Sequence, residues 1–452
     1  MFGQNRKTLA ALFFALLFFL SSADVVFAIR IHGFNFRFGQ ALLLLAALPI
    51  ILRLFNQIKD RSPQAQTHLS ILIPWIPFFT IYEIAALSSA TPFPTTIKWG
   101  WGLFNIILAA VICLDKRGEE SLERGFEWGI VLIAGFIWLE AVALYFFGSF
   151  TSFQDLGPGM PGAVSFFSIP IGFAQESWRF MGFQTYRPNA FYFEPSYAGC
   201  ALTFAFLCLF SSDIRRPLNR SGWIPALVVS SVIITSSRTG IISEFVFLTL
   251  MILFLVVRRR FNPLWRVTVR TILIAVLFMG LFCISPQARR YLQFITGPIG
   301  VDSTARIHQK GSSEGDRLSN AKDSFALWMQ HPVLGNGVTP QVGPNNSQGL
   351  SQFSMVTWTE IGLESGTLGV LAFLFAVLSN MATAWKKSPD ADLKTIVFLA
   401  WLIHFSIQFL LSQTFPRLDY WLIFFLSIRL LLKSGEPGSN LPSTGGTVQS
   451  KL

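Results

Sequence analysis

The sequence predicts an all-α protein that crosses a membrane about twelve times, with one large segment outside the membrane between helices nine and ten. Three observations carry that expectation. Hydrophobic residues fill 52% of the 452 positions and charged residues 13%, with a mean hydropathy of +0.52, which is too apolar and too poor in charge for a soluble multidomain chain. The apolar residues come in runs of membrane length and lack the alternation of barrel strands. Phe, at 47, and Trp, at 13, are abundant, as suits lipid-facing helices with aromatic belts.

In chain order the apolar runs are 8–29, 39–55, 69–90, 98–114, 126–147, 193–211, 223–237, 240–257, 269–285, 362–384, 395–412 and 418–432. The first follows Arg6-Lys7, and Val26-Phe27-Ala28 resembles a cleavage site, so a signal peptide is the alternative there. That run is long enough to span. Lysine and arginine gather on alternate connections, among them Arg6-Lys7, Lys116-Arg117, Arg215-Arg216, Arg258-Arg259-Arg260 and Lys386-Lys387. The short turns of the other side hold only Arg30, Arg37, Lys98, Arg238 and Arg417. This positive-inside bias predicts cytoplasmic termini. The net charge of +11 then reflects topology and contact with the inner leaflet, and gives no argument for nucleic acid. Cys113, Cys200, Cys208 and Cys283 lie in apolar runs, with neither metal-ligand spacing nor a disulfide framework. The chain divides into helices one to nine (1–285, including an outer loop at 148–192), a large outer loop (286–356), helices ten to twelve (357–433) and a Gly/Ser/Thr/Pro-rich tail (434–452) expected to be disordered.

Four constellations fall on the outer side. Within the large loop, Asp316 is placed to cap a helix in which Leu318, Ala321, Phe325 and Trp328 recur at helical spacing, and His331-Pro332 stops it before Gly335 and Gly337. Arg317 is expected in its first turn, where free backbone N–H groups and a guanidinium fork suit an anion. The plainer reading is an amphipathic surface helix. Upstream, Glu194-Pro195 opens the sixth span, either as an ordinary helix start or as a carboxylate held at the membrane edge to accept a proton. Ser237-Arg238-Thr239-Gly240 forms a tight turn whose arginine either snorkels to headgroups or faces an anionic ligand. Glu360 and Glu364 lie one turn apart on one face at the start of the tenth span, among glycines that permit close packing.

In this order the pieces resemble the superfamily of O-antigen ligases and Wzy-type repeat-unit polymerases. The resemblance is carried by Phe193-Glu194-Pro195-Ser196, by Ser237-Arg238-Thr239-Gly240, by Arg317 followed by Trp328 and His331-Pro332-Val333-Leu334-Gly335-Asn336-Gly337, and by Glu364-Ser365-Gly366-Thr367-Leu368-Gly369. It covers roughly 193–369. Ligases of the superfamily carry a histidine just ahead of the last motif, and none stands near Met355-Val356. The resemblance implies a GT-C-like glycosyltransferase of the bacterial inner membrane, working on the periplasmic face on a polyprenyl-diphosphate-linked glycan donor and a glycan acceptor. It implies membrane lipids and a chain-length regulator as partners, and neither a cofactor nor nucleic acid. A diphosphate leaving group needs fixed cations, which arginine supplies without a metal. Arg238 and Arg317 are therefore the expected catalytic arginines, with Glu194 as the base. Arg187, Arg289, Arg290, Arg306, Trp328, His331, Glu360 and Glu364 are the expected substrate-binding positions. No metal site is expected: Asp390-Ala-Asp392 falls in an inner loop and is expected only to solvate a turn. Asp24, Glu83, Glu140, Glu244 and His404 are expected to hydrogen-bond between packed helices. Polymerisation of repeat units is the expected activity, ligation to lipid A core or protein the near alternative, and transport of a polysaccharide or lipid the distant one.

Overall fold

The computed structural model describes residues 2–22, 28–31, 34–88, 92–146 except 117, 163–166, 169–172, 177–180, 183–186, 195–215, 223–257 except 236, 313–337, 356–411 and 417–434, with four residues of 269–274. Eleven of the twelve apolar runs coincide with helices among these residues; the run 269–285 lies almost wholly outside them. The helices are α1 (Phe2–Ser22), α2 (Phe38–Lys59), α3 (Pro63–Leu72), α4 (Ile76–Leu87), α5 (Pro92–Leu114), α6 (Glu119–Phe146), α7 (Pro195–Arg215), α8 (Trp223–Ile234), α9 (Arg238–Val257), α10 (Ser313–Gln330), α11 (Thr357–Lys387), α12 (Ala391–Ile403) and α13 (Leu418–Ser434). Among the described residues, five apolar segments are long enough to cross a membrane: Gly39–Lys59, Pro63–Leu87, Glu120–Val142, Thr357–Lys387 and Ala391–Gln408. Shorter apolar helices stand beside them, and the chain is a multi-pass membrane protein.

The segment Pro63–Leu87 is one span built of α3, a 3-10 turn at Ile73–Trp75, and α4. Pro74 and Pro77 lack the N–H groups that an uninterrupted α-ladder would use there. The turn puts Trp75, fully buried, edge-on to Trp421 of α13 at 5.2 Å and to Phe373 of α11 at 6.0 Å. Apolar surface in lipid gains little by choosing a helix over an acyl chain, so close backbone approach and ring packing hold such bundles together. The pairing of α1 with α6 follows the same rule: a Cβ on Gly125 would lie 2.6 Å from the Ala11 carbonyl oxygen, and one on Gly129 would lie 2.9 Å from Phe18 Cβ.

Among the described residues there are three antiparallel ribbons: β1 (Ala28–Ile31) with β2 (Phe34–Arg37), β3 (Ala163–Phe166) with β4 (Ile169–Gly172), and β5 (Ser177–Phe180) with β6 (Phe183–Tyr186). The sequence reading expected only helices. Strands of four residues are too short for periodicity to register. The first ribbon lies along the second through β1 and β4.

The two ends of the bundle differ. At the end where α1 and α6 start and α13 finishes, which we call the basic end, Lys7 pairs with Glu120 at 2.8 Å, Arg124 with Glu120 at 2.7 Å, Lys433 with Glu123 at 2.9 Å and Arg53 with Asp115 at 3.3 Å. Asp390 caps α12 there, accepting from the Leu393 N–H at 3.0 Å, and Asp392 lies in the first turn, so the pair expected to solvate a turn starts a helix. The opposite end, the loop end, carries the starts of α7, α9, α11 and α13.

Candidate functional site at the loop end

Two of the sequence motifs meet where α7 and α9 begin. Ser237 caps α9, its hydroxyl accepting from the Gly240 N–H at 3.1 Å, so Arg238 is the first residue of the helix. Gly199 of α7 and Gly240 of α9 touch: a Cβ on Gly240 would lie 2.8 Å from Gly199 Cα, and one on Gly199 would lie 2.9 Å from Ser237 Cβ. The Thr203 hydroxyl donates to the Gly199 carbonyl at 2.9 Å and lies 3.4 Å from the Gly240 carbonyl, which ties the two helices one turn further in. Arg238 thus stands at the mouth of α9, beside the α7 mouth that follows directly on Glu194. Free N–H groups at a helix start favour negative charge.

The other two motifs clasp each other through their backbones. α11 is broken at Gly366, whose φ of 67° and ψ of −170° are outside the helical region. The turn after α10 fills the break. Asn336 N–H donates to the Leu363 carbonyl at 2.7 Å, Thr367 N–H to the Pro332 carbonyl at 2.8 Å and Leu368 N–H to the Val333 carbonyl at 3.2 Å. A Cβ on Gly366 would lie 2.2 Å from the Val333 oxygen, and one on Gly335, itself at φ 75°, would lie 2.6 Å from the Glu364 carbonyl. Only glycine tolerates both the positive φ and the contact. Trp328 packs on Gly362, where a Cβ would meet its ring at 2.6 Å, and donates to the Pro332 carbonyl at 3.3 Å. Broken helices in membranes are tolerated where the freed backbone groups find partners in protein, and such breaks recur at binding sites.

A π-helical turn at His404–Gln408, continuing α12, links the two assemblies. Trp358 Nε1 donates to the Phe405 carbonyl at 3.0 Å on one side, and Gln408 Nε2 donates to the Cys200 carbonyl at 3.1 Å on the other. His404 stacks on Phe204 of α7 at 4.3 Å, while its Nδ1 lies 2.5 Å from Gln408 Oε1 within its own turn, so its contact between helices is a ring contact and the hydrogen bond is local. Arg417 is more than a topology charge. It is 5% exposed, sits 3.2 Å from Asp419, donates to the Ser22 carbonyl at 3.2 Å and lies 5.0 Å over the Tyr197 ring, while Tyr420 donates to the Tyr197 carbonyl at 3.0 Å. α1, α7 and α13 are pinned together there.

The expected site residues fare unequally. Glu194, Arg187, Arg289, Arg290, Arg306 and Asp24 lie outside the described residues, and of Arg238 and Arg317 the backbone alone is described. Arg317 is the fifth residue of α10, which begins at Ser313, so the first-turn expectation is corrected. The four N–H groups left free at a helix start lie ahead of it, and the helix-start geometry expected at Arg317 occurs at Arg238. His331 is exposed, with its carbonyl accepting from the Gly335 N–H at 2.8 Å. Glu360 and Glu364 are buried, 4% and 3% exposed, and Glu364 accepts from the hydroxyl of Tyr82 in α4. Glu364 is therefore held from behind by the bundle. Glu244 of α9 is 3% exposed and faces the Thr203 hydroxyl of α7, a neighbour on the packed helix. Sequence reasoning missed Tyr82, Arg417 and the π turn. The available signals were a hydroxyl in an apolar run and an Arg-x-Asp at a helix start.

Residues 224–374, a third of the chain, match the family model described as O-antigen ligase, which takes in α8, α9, α10 and the broken half of α11. No curated protein matches the chain. At the level of the family the match implies a membrane glycosyltransferase-like enzyme of glycan ligation or polymerisation. Ser237-Arg238-Thr239-Gly240 and Glu364-Ser365-Gly366-Thr367-Leu368-Gly369 both lie inside the matched segment, and it is this segment that is similar to the O-antigen ligase family.

Proposed function

We propose that the protein polymerises polyprenyl-diphosphate-linked oligosaccharide repeat units at the loop end of its bundle, which faces the periplasm from a twelve-span inner-membrane topology with cytoplasmic termini. The observation that carries this reading is the gathering of four separate motifs at one end, with Arg238 at the capped start of α9 beside the start of α7. In the reaction an acceptor hydroxyl attacks the anomeric carbon of the donor, the bond to the diphosphate oxygen breaks, and the lipid diphosphate leaves. Glu194 takes the hydroxyl proton. Arg238 and Arg317 neutralise the charge that builds on the diphosphate, a role that needs no metal ion. Trp328 and the backbone clasp position α10 against α11, and Arg187, Arg289, Arg290 and Arg306 supply further cations to the glycan-bearing side.

Ligation of a finished glycan to another acceptor is the second reading, favoured by the description of the matching family. One experiment separates the two. Purified protein in proteoliposomes is supplied with lipid-linked repeat units alone, in excess chelator. Products of increasing length without any other acceptor are the polymerase result; turnover only when a separate acceptor is added is the ligase result. Loss of turnover that a divalent ion restores would overturn the metal-free mechanism in either case.

A further inference from the structure

The exposed surface of α10 is divided in a way that neither the motif nor the proposed chemistry uses. At about 100° per residue, its positions fall into three sectors. Asn320 and Ser324, both buried, with half-buried Leu327 and Trp328, face α11. Asp323, Ala326 and Gln330 form an exposed and largely polar sector. Lys322, Phe325 and Met329 form a third, apolar toward the C-terminal end, with Phe325 50% and Met329 46% exposed. The sequence spacing had placed Phe325 on the same stripe as Ala321 and Trp328, but the helix turns polar side chains inward and leaves Phe325 out. The turn that follows adds Val333, 58% exposed, and Leu334, 50% exposed.

The backbone clasp says what lies next to this surface. Val333 bonds to Leu368 of α11, and Leu368 begins an exposed apolar stripe, Leu368, Leu371, Phe375 and Leu378, on the membrane-spanning part of that helix. That bond brings the start of the stripe beside the turn that carries Val333 and Leu334. From Thr367, just past the break, to Lys387 the helix runs 21 residues, or about 31 Å at 1.5 Å per residue, which is the thickness of a bilayer's hydrocarbon core. Lys386 and Lys387 stand at one end of that length, and the clasped turn at the other.

We propose that the C-terminal half of α10 is an interfacial foot: Phe325, Met329, Val333 and Leu334 sit in the outer surface of the bilayer, among headgroups and upper acyl chains, with the polar sector in water. An amphipathic helix buries its apolar face several ångströms into that zone, and Lys322 reaches headgroups from the same side. The seating is independent of the chemistry proposed above. If that chemistry holds, the foot fixes the helix bearing Arg317 at the depth of a lipid-borne diphosphate.

The test uses full-length protein in proteoliposomes of phosphatidylethanolamine and phosphatidylglycerol, with native cysteines replaced by alanine and a spin label placed in turn at Phe325→Cys, Met329→Cys, Val333→Cys, Ala326→Cys and Gln330→Cys. Relaxation by oxygen, which concentrates in lipid, is compared with relaxation by a water-soluble nickel chelate. The proposal expects oxygen to dominate at 325, 329 and 333 and the chelate to dominate at 326 and 330. Chelate dominance at all five overturns it, and so does shielding of 325 and 329 from both reagents, which would mean that protein covers the patch. Where the cysteine-free chain does not fold, a photoreactive benzoyl-phenylalanine at 325, 329, 326 or 330 in the native-cysteine chain replaces the label. Lipid adducts at the first two alone support the foot, and adducts absent there overturn it. Neither readout needs turnover, so failure of the foot and failure of the glycosyltransferase reading stay separate.

Discussion

The basic end and the loop end of this bundle are built on different physics. At the basic end side-chain ion pairs stand beside the close approach of Gly125 to Ala11: Lys7 with Glu120 joins groups 63% and 49% exposed, and Arg124, Lys433 and Arg53 find carboxylates nearby. At the loop end the contacts are backbone to backbone, through Gly199 on Gly240 and through the 332–336 turn set into the break at Gly366, with carboxylates withdrawn from water. Exposed ion pairs tolerate movement and are screened by salt. Backbone contacts at glycine tolerate no added atom. The difference teaches which end must hold a shape: the end with the motifs is fixed by interlocked backbone, and the other adds exposed charge pairs that can give.

The largest effect expected from this contrast is at the break. Gly366→Ala forces a side chain into positive φ and against the Val333 carbonyl, and should lower stability by on the order of 4 kcal/mol, seen as lost detergent-soluble protein or a collapsed thermal midpoint. A normal midpoint would mean that the clasp is loose. Next comes Tyr82→Phe, which removes the hydroxyl that donates to buried Glu364 and should cost about 1–3 kcal/mol. If the double variant Tyr82→Phe, Glu364→Gln restores the wild-type midpoint, the cost was that of a buried carboxylate short of one donor; if the double variant is worse than either single one, the pair acts otherwise. Smallest is Lys7→Ala, expected to cost less than about 1 kcal/mol and to lose even that in high salt. A large, salt-resistant loss there would erase the distinction between the ends.

Much of this was legible in the sequence, for a physical reason. Span positions follow from residue hydropathy, which is local, so α2, α6, α11 and α12 fall where apolar runs predicted them. The motifs at Arg238 and Glu364 were legible because charge and glycine stand there together in short runs at the edges of apolar stretches. What escaped depends on partners remote in sequence. Tyr82 meets Glu364 across 282 positions, and Arg417 meets Ser22 across 395. The inward face of α10 was misread because its buried positions are Asn320 and Ser324, polar residues that a hydrophobic pattern assigns to the surface.

The central claim is that the loop end does the chemistry and that Arg238, at the capped start of α9, acts on the diphosphate. The most direct measurement is glycan transfer from lipid-linked repeat units by Arg238→Lys in proteoliposomes, at matched protein abundance and with an unchanged thermal midpoint. Lysine keeps the charge but cannot present two parallel donors to phosphate oxygens. Our account predicts a fall in turnover on the order of a hundredfold, about 3 kcal/mol of lost transition-state stabilisation. Turnover within about twofold of wild type would contradict it, because a snorkelling arginine is replaced by lysine at little cost.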